Sequence, residues 1–205
     1  MSMINELVKN KFKDIFDKKG YPFFERGNFN LNIIGVRSKS KISNSFDDLL
    51  YCIYKSRDIW QVKCFNITTD SGKHWLLNPL SVKGCAILVP NCYQGCYKLG
   101  KHKGKYTALV QTGGRVRVYR DNNKDNIIDI DNTTIERGYF GINIHKSKSS
   151  NILTDNNGID KFSAGCQVFH SINEYDTFIN LCQTSATYFG QYFTYTLLTY
   201  KDLEL

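Results

Sequence analysis

The chain has 205 residues, 27 Lys and Arg against 19 Asp and Glu for a net charge of +8, and 41% hydrophobic with 14% aromatic residues. That composition excludes a disordered chain, and the length suits one well-buried core with embellishments rather than two domains. The charge favours a polyanionic partner, but the densest basic patch, Lys98, Lys101, Lys103 and Lys105, comes with no basic helix, zinc-finger spacing or RNA-binding aromatic signature, which argues against sequence-specific nucleic-acid recognition.

The 7 cysteines are odd in number and include no Cys-x-x-Cys pair, so neither a disulfide framework nor a zinc ribbon is indicated. Most are expected to be reduced, buried and hydrophobic in role. No apolar run approaches the ~20 residues of a membrane span, and the first residues lack the uninterrupted apolar segment of a signal peptide. The expected site of synthesis is a cytoplasm. Oligomeric state is not legible from the sequence.

In chain order, Ile4, Leu7, Val8, Phe12, Ile15 and Phe16 recur at steps of three and four with lysines opposite. This predicts an amphipathic helix over residues 3–19, closed by Gly20. Residues 1–27 form this helix and its connection, and residues 28–205 a single domain. Phe29, Leu31 and Ile33 alternate in a first strand, and residues 49–54 and 60–68 form a hairpin around a polar turn. Residues 69–75 read as a turn-rich loop carrying His74 and Trp75. Residues 85–90 and 106–111 read as buried strands, and the glycine- and tyrosine-rich segment between them, with His102, suits a loop or irregular strand along a cleft.

A strand through Val116 and Val118 leads into residues 121–129. Asp121, Asn123, Asp125 and Asp129 place oxygen side chains at relative positions 1, 3, 5 and 9, as in an EF-hand-type calcium loop. Asn126 replaces the glycine of position 6 and Asn132 the bidentate glutamate of position 12. An Asx-rich hairpin turn is therefore the simpler reading, with calcium the alternative.

Further on, Ile142 and Ile144 alternate with Asn143 and His145, the pattern of a half-buried strand ending at His145. Residues 146–162 are a long polar loop, a length more often functional than connective. A second strand-like run over residues 163–169 carries Cys166 on a glycine-bearing turn. Ser171 and Glu174 form a capping box for a helix whose apolar face is Ile172, Tyr175, Ile179, Cys182 and Ala186, ending near Gly190. That helix should buttress the Cys166 strand and make Cys182 a core residue. A strand over residues 192–200 closes the chain, and short β-branched and aromatic runs make the fold class mainly β.

A thiol of ordinary pKa, about 8.5, is only a few per cent thiolate at neutral pH, and an imidazole within hydrogen-bond reach raises that fraction. Cys166 and His145 form a minimal acyl-transfer pair. Gly165 allows close backbone approach, so the amides of residues 165 and 166 are candidate oxyanion donors. With 4 His and 7 Cys in the chain, spacing alone does not select this pair. His102 competes for the role of base and ranks second, since it sits among lysines that lower its pKa.

A histidine at a strand end, a spacer of residues 146–162 and then Ser163-Ala164-Gly165-Cys166 resemble the signature of the L,D-transpeptidase catalytic domain, the YkuD-like family. The stretches TTDSGKHWLLNPL, GCAILVP, GKYTALVQ, VYRDNNKDN and GYFGINIH are similar to YkuD-like proteins of tailed phages. The resemblance covers roughly residues 30–200 and is most specific over residues 138–169.

It implies a β-sandwich or barrel-like fold with the N-terminal helix and one helix after the Cys strand. It also implies a Cys166 nucleophile, a His145 base, Ser163 and Gly165 as the rest of the catalytic motif, and peptidoglycan stem peptides as substrate, with no cofactor required. His74 and Trp75 are candidate groove residues, an exposed loop histidine and a core tryptophan being the plainer reading; His102 and Gln167 are further groove candidates. The phage context favours a murein peptidase, reaching the bacterial wall after release from the host cytoplasm or from a virion. A true L,D-transpeptidase, or a non-catalytic wall-binding or virion structural module keeping the fold, are the alternatives. The chain departs from the family at Lys146, where Gly is usual, at Ala164, often a second His, and at Val168, where Arg or Asn commonly helps bind substrate.

Overall fold

The structure, a computed structural model, describes residues 2–147 and 159–204. Helix α1 (Ser2–Lys19) is followed by strands β1 (Asn32–Arg37), β2 (Asp48–Ser56) and β3 (Ile59–Thr68) and the short helix α2 (Lys73–Leu77). Strands β4 (Cys85–Leu88), β5 (Asn91–His102), β6 (Tyr106–Val110), β7 (Val116–Asp121), β8 (Glu136–Gly138), β9 (Ile144–Lys146) and β10 (Gln167–Phe169) come next, then helix α3 (Ile172–Phe189) and β11 (Tyr192–Thr199).

Eight strands close a barrel in the order β1-β11-β5-β6-β9-β10-β3-β2, and β4, β7 and β8 form a second sheet. The fold is thus mainly β and barrel-like, with helices at the N-terminal end and after the Cys166 strand. Closure leaves the barrel strands without free edges. The β2–β3 hairpin turns on Arg57 and Asp58, both left-handed at φ 51 and 60, the geometry that matches the twist of the flanking strands.

Alternation sorts side chains between two cores. On β1, Ile33 faces the barrel interior with Leu50, Tyr97 and Tyr195, while Ile34 and Val36 face outward against Phe12, Ile15 and Phe16 of α1. All of β1 is therefore buried. A Cβ at Gly35 would overlap the Tyr195 hydroxyl, so only glycine lets that ring cross the barrel. Helix α3 adds Tyr175, Phe178, Ile179 and Cys182 to the barrel core, with Phe178 5.1 Å from the Phe169 ring. Each fully buried side chain of this size contributes about 1.5–3 kcal/mol. The Ser171 hydroxyl accepts the Glu174 N–H at 3.3 Å, the hydroxyl half of the expected capping box, and Gly190 ends the helix at φ 82.

Several expectations shift. The segment with Tyr93, Tyr97 and His102 is a continuous strand, β5, not a loop. Its tyrosines point into the barrel, and Gly95, at φ 60, serves a bulge where the β5–β11 register shifts between Phe193 and Tyr195. The first strand starts at Asn32, because Phe29 turns at φ 60 and donates its N–H to the Lys55 carbonyl at 2.8 Å. Ile4 and Leu7 remain exposed, so α1 docks through its later turns. The 69–75 loop closes into α2. Most of the expected 146–162 loop lies outside the described residues.

Candidate active site around Cys166 and His145

Strands β9 and β10 run parallel and adjacent, with Gln167 opposite Ile144 and Val168 opposite His145. Cys166 stands two residues before Val168, as Asn143 stands two before His145. The register therefore sets the thiol beside Asn143, on the side of the wall that carries the imidazole. The half-buried thiol accepts the Asn143 N–H at 3.4 Å and donates to the Gly141 carbonyl at 3.4 Å. Among the described residues no hydrogen bond joins it to an imidazole in the resting protein.

The turn into β10 is held from beneath. Ser163 Oγ lies 2.7 Å from the Asp70 carbonyl and 2.8 Å from the Cys166 carbonyl, its one proton serving either, and it accepts the Gly165 N–H at 3.2 Å. Ser163 thus staples the turn, and the Gly165 amide is engaged. Gly165 itself sits at φ 114, where a Cβ would overlap the Ala86 carbonyl oxygen. Any other residue there displaces the Cys166 backbone.

The other side of the thiol is shaped by Gln111, a buried side chain. Its Oε1 accepts the N–H groups of Phe140, Gly141 and Ile142 at 2.9, 3.0 and 3.3 Å, and its Nε2 donates to the carbonyls of Gly114 and Gly138 at 2.9 and 3.2 Å. This single amide folds the turn that presents the Gly141 carbonyl and the Asn143 N–H to Cys166.

His145 is buried, with Nδ1 2.9 Å from the Lys146 carbonyl. That contact fixes the proton on Nδ1. Nε2 is buried and without a hydrogen-bond partner among the described residues. The Tyr106 hydroxyl lies 3.3 Å from both Nδ1 and the Lys146 carbonyl, bracing the same edge. Burial first, and then the nearby His102, lowers the His145 pKa to about 3. Burial pushes the Cys166 thiol up to about 11, against the Asn143 N–H and the Lys103 charge, which favour the thiolate. The resting pair is therefore a neutral thiol and a neutral imidazole with a free lone pair. Such a pair needs the proton to move as the sulfur attacks.

Of the other expected residues, His102 lies at the end of β5, stacked on His145. Its pKa is lowered by burial more than by Lys103. Gln167 is fully buried inside the barrel, donating to the Gly165 carbonyl at 3.3 Å and accepting from the Tyr195 hydroxyl at 2.9 Å. It supports the wall and does not face a groove. His74 and Trp75 sit on α2, where the Trp75 indole N–H donates to the Lys161 carbonyl at 3.2 Å and its ring packs against the Leu76, Ile87 and Tyr119 cluster. The Gly72 N–H donates to the Ser163 carbonyl at 2.8 Å, so α2 starts beside the Cys166 turn. Asp121 ends β7 and Asn123, Asp125 and Asp129 follow it, joined to one another by hydrogen bonds. Tyr106, Gln111 and Asn143 were not among the expected site residues; only Asn143 carried a local signal, sharing His145's strand face.

All 7 cysteines are free, with Cys182 in the core as expected. Among the described residues no helix is long and apolar enough to cross a membrane. No family model matches the chain, and neither a curated protein nor a solved structure matches it.

Proposed function

We propose that this chain is a cysteine-dependent enzyme that processes the stem peptides of peptidoglycan, with Cys166 as nucleophile and His145 as general base. The observation that carries the reading is the setting of His145: Nδ1 lies against the Lys146 carbonyl, which can only accept, and Nε2 is buried without a partner among the described residues, so the neutral ring keeps its lone pair on Nε2. A buried lone pair left open costs stability, and its use is to take a proton.

In this reading Cys166 Sγ attacks the carbonyl carbon of a stem-peptide bond as its proton passes to His145 Nε2. The oxyanion is held by the Cys166 N–H, the Gly165 amide being engaged by Ser163. The C–N bond breaks, the leaving amine takes the proton from His145, and a thioester remains on Cys166. Water then attacks the thioester, giving its proton to His145, and the returning proton restores the thiol. An amine in place of water makes the same site a transpeptidase; the resemblance to phage proteins favours water. The net charge of +8 suits an anionic wall, reached after release from a host cell or from a virion.

Val168 favours a second reading. It is fully buried, at the position where the resembled family carries Arg or Asn toward its substrate. A wall-binding module that keeps the fold without the chemistry fits that loss. Incubation of the purified chain with peptidoglycan, followed by mass spectrometry of released fragments, separates the two. Fragments from the parent and none from Cys166→Ser support the enzyme. Wall binding without cleavage by either protein supports the module.

A further inference from the structure

We infer that the loop of residues 121–129 is a calcium site, with Asp121, Asn123, Asp125 and Asp129 as its side-chain ligands. The first observation is Asp121, the last residue of β7, which is 1% exposed. Its Oδ2 accepts the Asp129 N–H at 3.0 Å, while its Oδ1 is buried with no hydrogen-bond partner among the described residues. A buried carboxylate oxygen without a donor calls for a cation or water. The bond from the Asp129 N–H sets the Asp121 carboxylate against the far end of the loop.

The second observation is the placing of the Asn123 amide. Its Nδ2 lies 2.9 Å from Asp125 Oδ2 and 2.7 Å from Asp129 Oδ2, so one NH2 group stands between two carboxylates. The other Asp125 oxygen accepts the Ile127 N–H at 2.7 Å, which leaves Oδ2 directed at the centre. Among the described residues no salt bridge reaches Asp121, Asp125 or Asp129. Asp125 and Asp129 thus meet across the Asn123 amide, neither in a salt bridge among the described residues, in a chain with a net charge of +8.

Among the described residues no three His, Cys, Asp or Glu side chains are yet drawn together closely enough to hold a metal. The Asn123 NH2 stands between Asp125 and Asp129. A side-chain amide exchanges its oxygen and nitrogen by rotation about its last torsion, so Asn123 can present Oδ1 to an incoming ion while the carboxylates close on it. A donor set of oxygens alone, on an irregular loop, suits a hard cation tolerant of coordination geometry, which is calcium rather than magnesium or zinc.

The site has a route to the Cys166 turn. The loop bridges Ile127 to Ile42, and the Ile128 N–H donates to the Lys41 carbonyl at 2.7 Å. Two residues on from Ile42, Asn44 Oδ1 accepts the N–H of Lys73 at 3.3 Å and of Asp160 at 2.5 Å, holding the start of α2 and the segment that leads to Ser163. An ion in the loop would stiffen this strap.

The test uses the full chain freed of metal by chelator and dialysis, titrated calorimetrically with calcium chloride and melted with calcium, with magnesium and with chelator. One calcium per chain and a melting midpoint raised by calcium but not by equal magnesium are expected, since a ligand that binds only the folded state stabilises it. Asp125→Ala, or Asn123→Ala should that variant not fold, is expected to weaken calcium binding by about tenfold or more, a lost ligand costing at least what a lost outer partner does. No heat and superimposable melting curves overturn the site, as does equal binding of magnesium or unchanged binding by the variants. Neither readout involves the thiol, so failure here leaves the catalytic proposal untouched.

Discussion

The imidazole of His102 lies against that of His145, ring centroids 4.0 Å apart and planes 24° from parallel. Rings this close disfavour a charge on either. The Asn143 Oδ1 takes the Gln111 N–H at 2.9 Å, which fixes the amide so that Nδ2 points to His102 Nδ1 at 3.1 Å. His102 must accept there and is neutral. Replacing it with Ala admits water beside His145 and raises the His145 pKa toward its ordinary value. Because the base acts only when neutral, the acid limb of kcat/KM for wall-fragment release should move up by about one pH unit or more. An acid limb that stays in place contradicts the coupling.

Gln111→Ala tests the cradle of the thiol. It strands the N–H groups of Phe140, Gly141 and Ile142, and should cost about 2–4 kcal/mol in urea unfolding. The turn that covers Cys166 loosens with it, so iodoacetamide should alkylate Cys166 faster than in the parent. Lost stability with unchanged alkylation would show that the turn and the cradle are independent.

Asp70 gives the pH dependence of stability. Arg37 Nε lies 3.2 Å from Asp70 Oδ1, yet its N–H is directed at Thr69 Oγ1 at 2.9 Å, so the contact is charge on charge without a hydrogen bond. Burial outweighs the Arg37 charge and raises the Asp70 pKa to about 7, with Asp48 adding to the rise. The unfolded chain releases that proton near pH 4 (about 3.9 for a free Asp). Between those values the folded state holds one more proton at Asp70, so this group's contribution to stability falls as pH rises through the window, against the rise contributed by His145, whose folded pKa of about 3 lies below its unfolded value. Asp70→Asn removes this falling contribution, so the stability of the variant relative to the parent, followed as melting temperature, should increase from about pH 4 to about pH 7. A difference in stability between parent and variant that stays constant from about pH 4 to about pH 7 contradicts the assignment.

Helix α3 separates a core contact from a cap. Ile179→Asp buries an unpaired charge against Phe178 and Cys182 and should cost roughly 3–5 kcal/mol. Ser171→Ala loses only the bond to the Glu174 N–H, about 1 kcal/mol. Urea midpoints shifted equally and slightly by both would contradict the packing of α3.

Periodicity made much of this fold legible. The steps of three and four in α1 and α3 and the alternation of Val116 and Val118 in β7 are local patterns that burial enforces. The glycines between Tyr93 and Gly104 misled because one of them makes a bulge inside a strand, which depends on the β11 partner. At the site, Cys166 and His145 could be named only through the resemblance. That their strands are neighbours comes from the parallel pairing of β9 and β10, and nothing local encodes which strands meet. Asn143 was visible as the neighbour of His145 on one strand face. Gln111 and Tyr106 were not, since each acts on backbone about thirty to forty residues away, where sequence spacing carries no signal. Gln167 beside the cysteine read as a groove residue, but strand alternation turns it inward to Tyr195.

The most direct test of the proposed catalytic pair is to incubate the chain with stem peptides, quench early and locate any covalent adduct by mass spectrometry. The account predicts a thioester-linked acyl group on the peptide containing Cys166, absent in Cys166→Ser and formed at least about 100-fold more slowly in His145→Ala, the usual range for loss of a general base. Cleavage of the wall without an adduct at Cys166, or undiminished cleavage by Cys166→Ser, would contradict it.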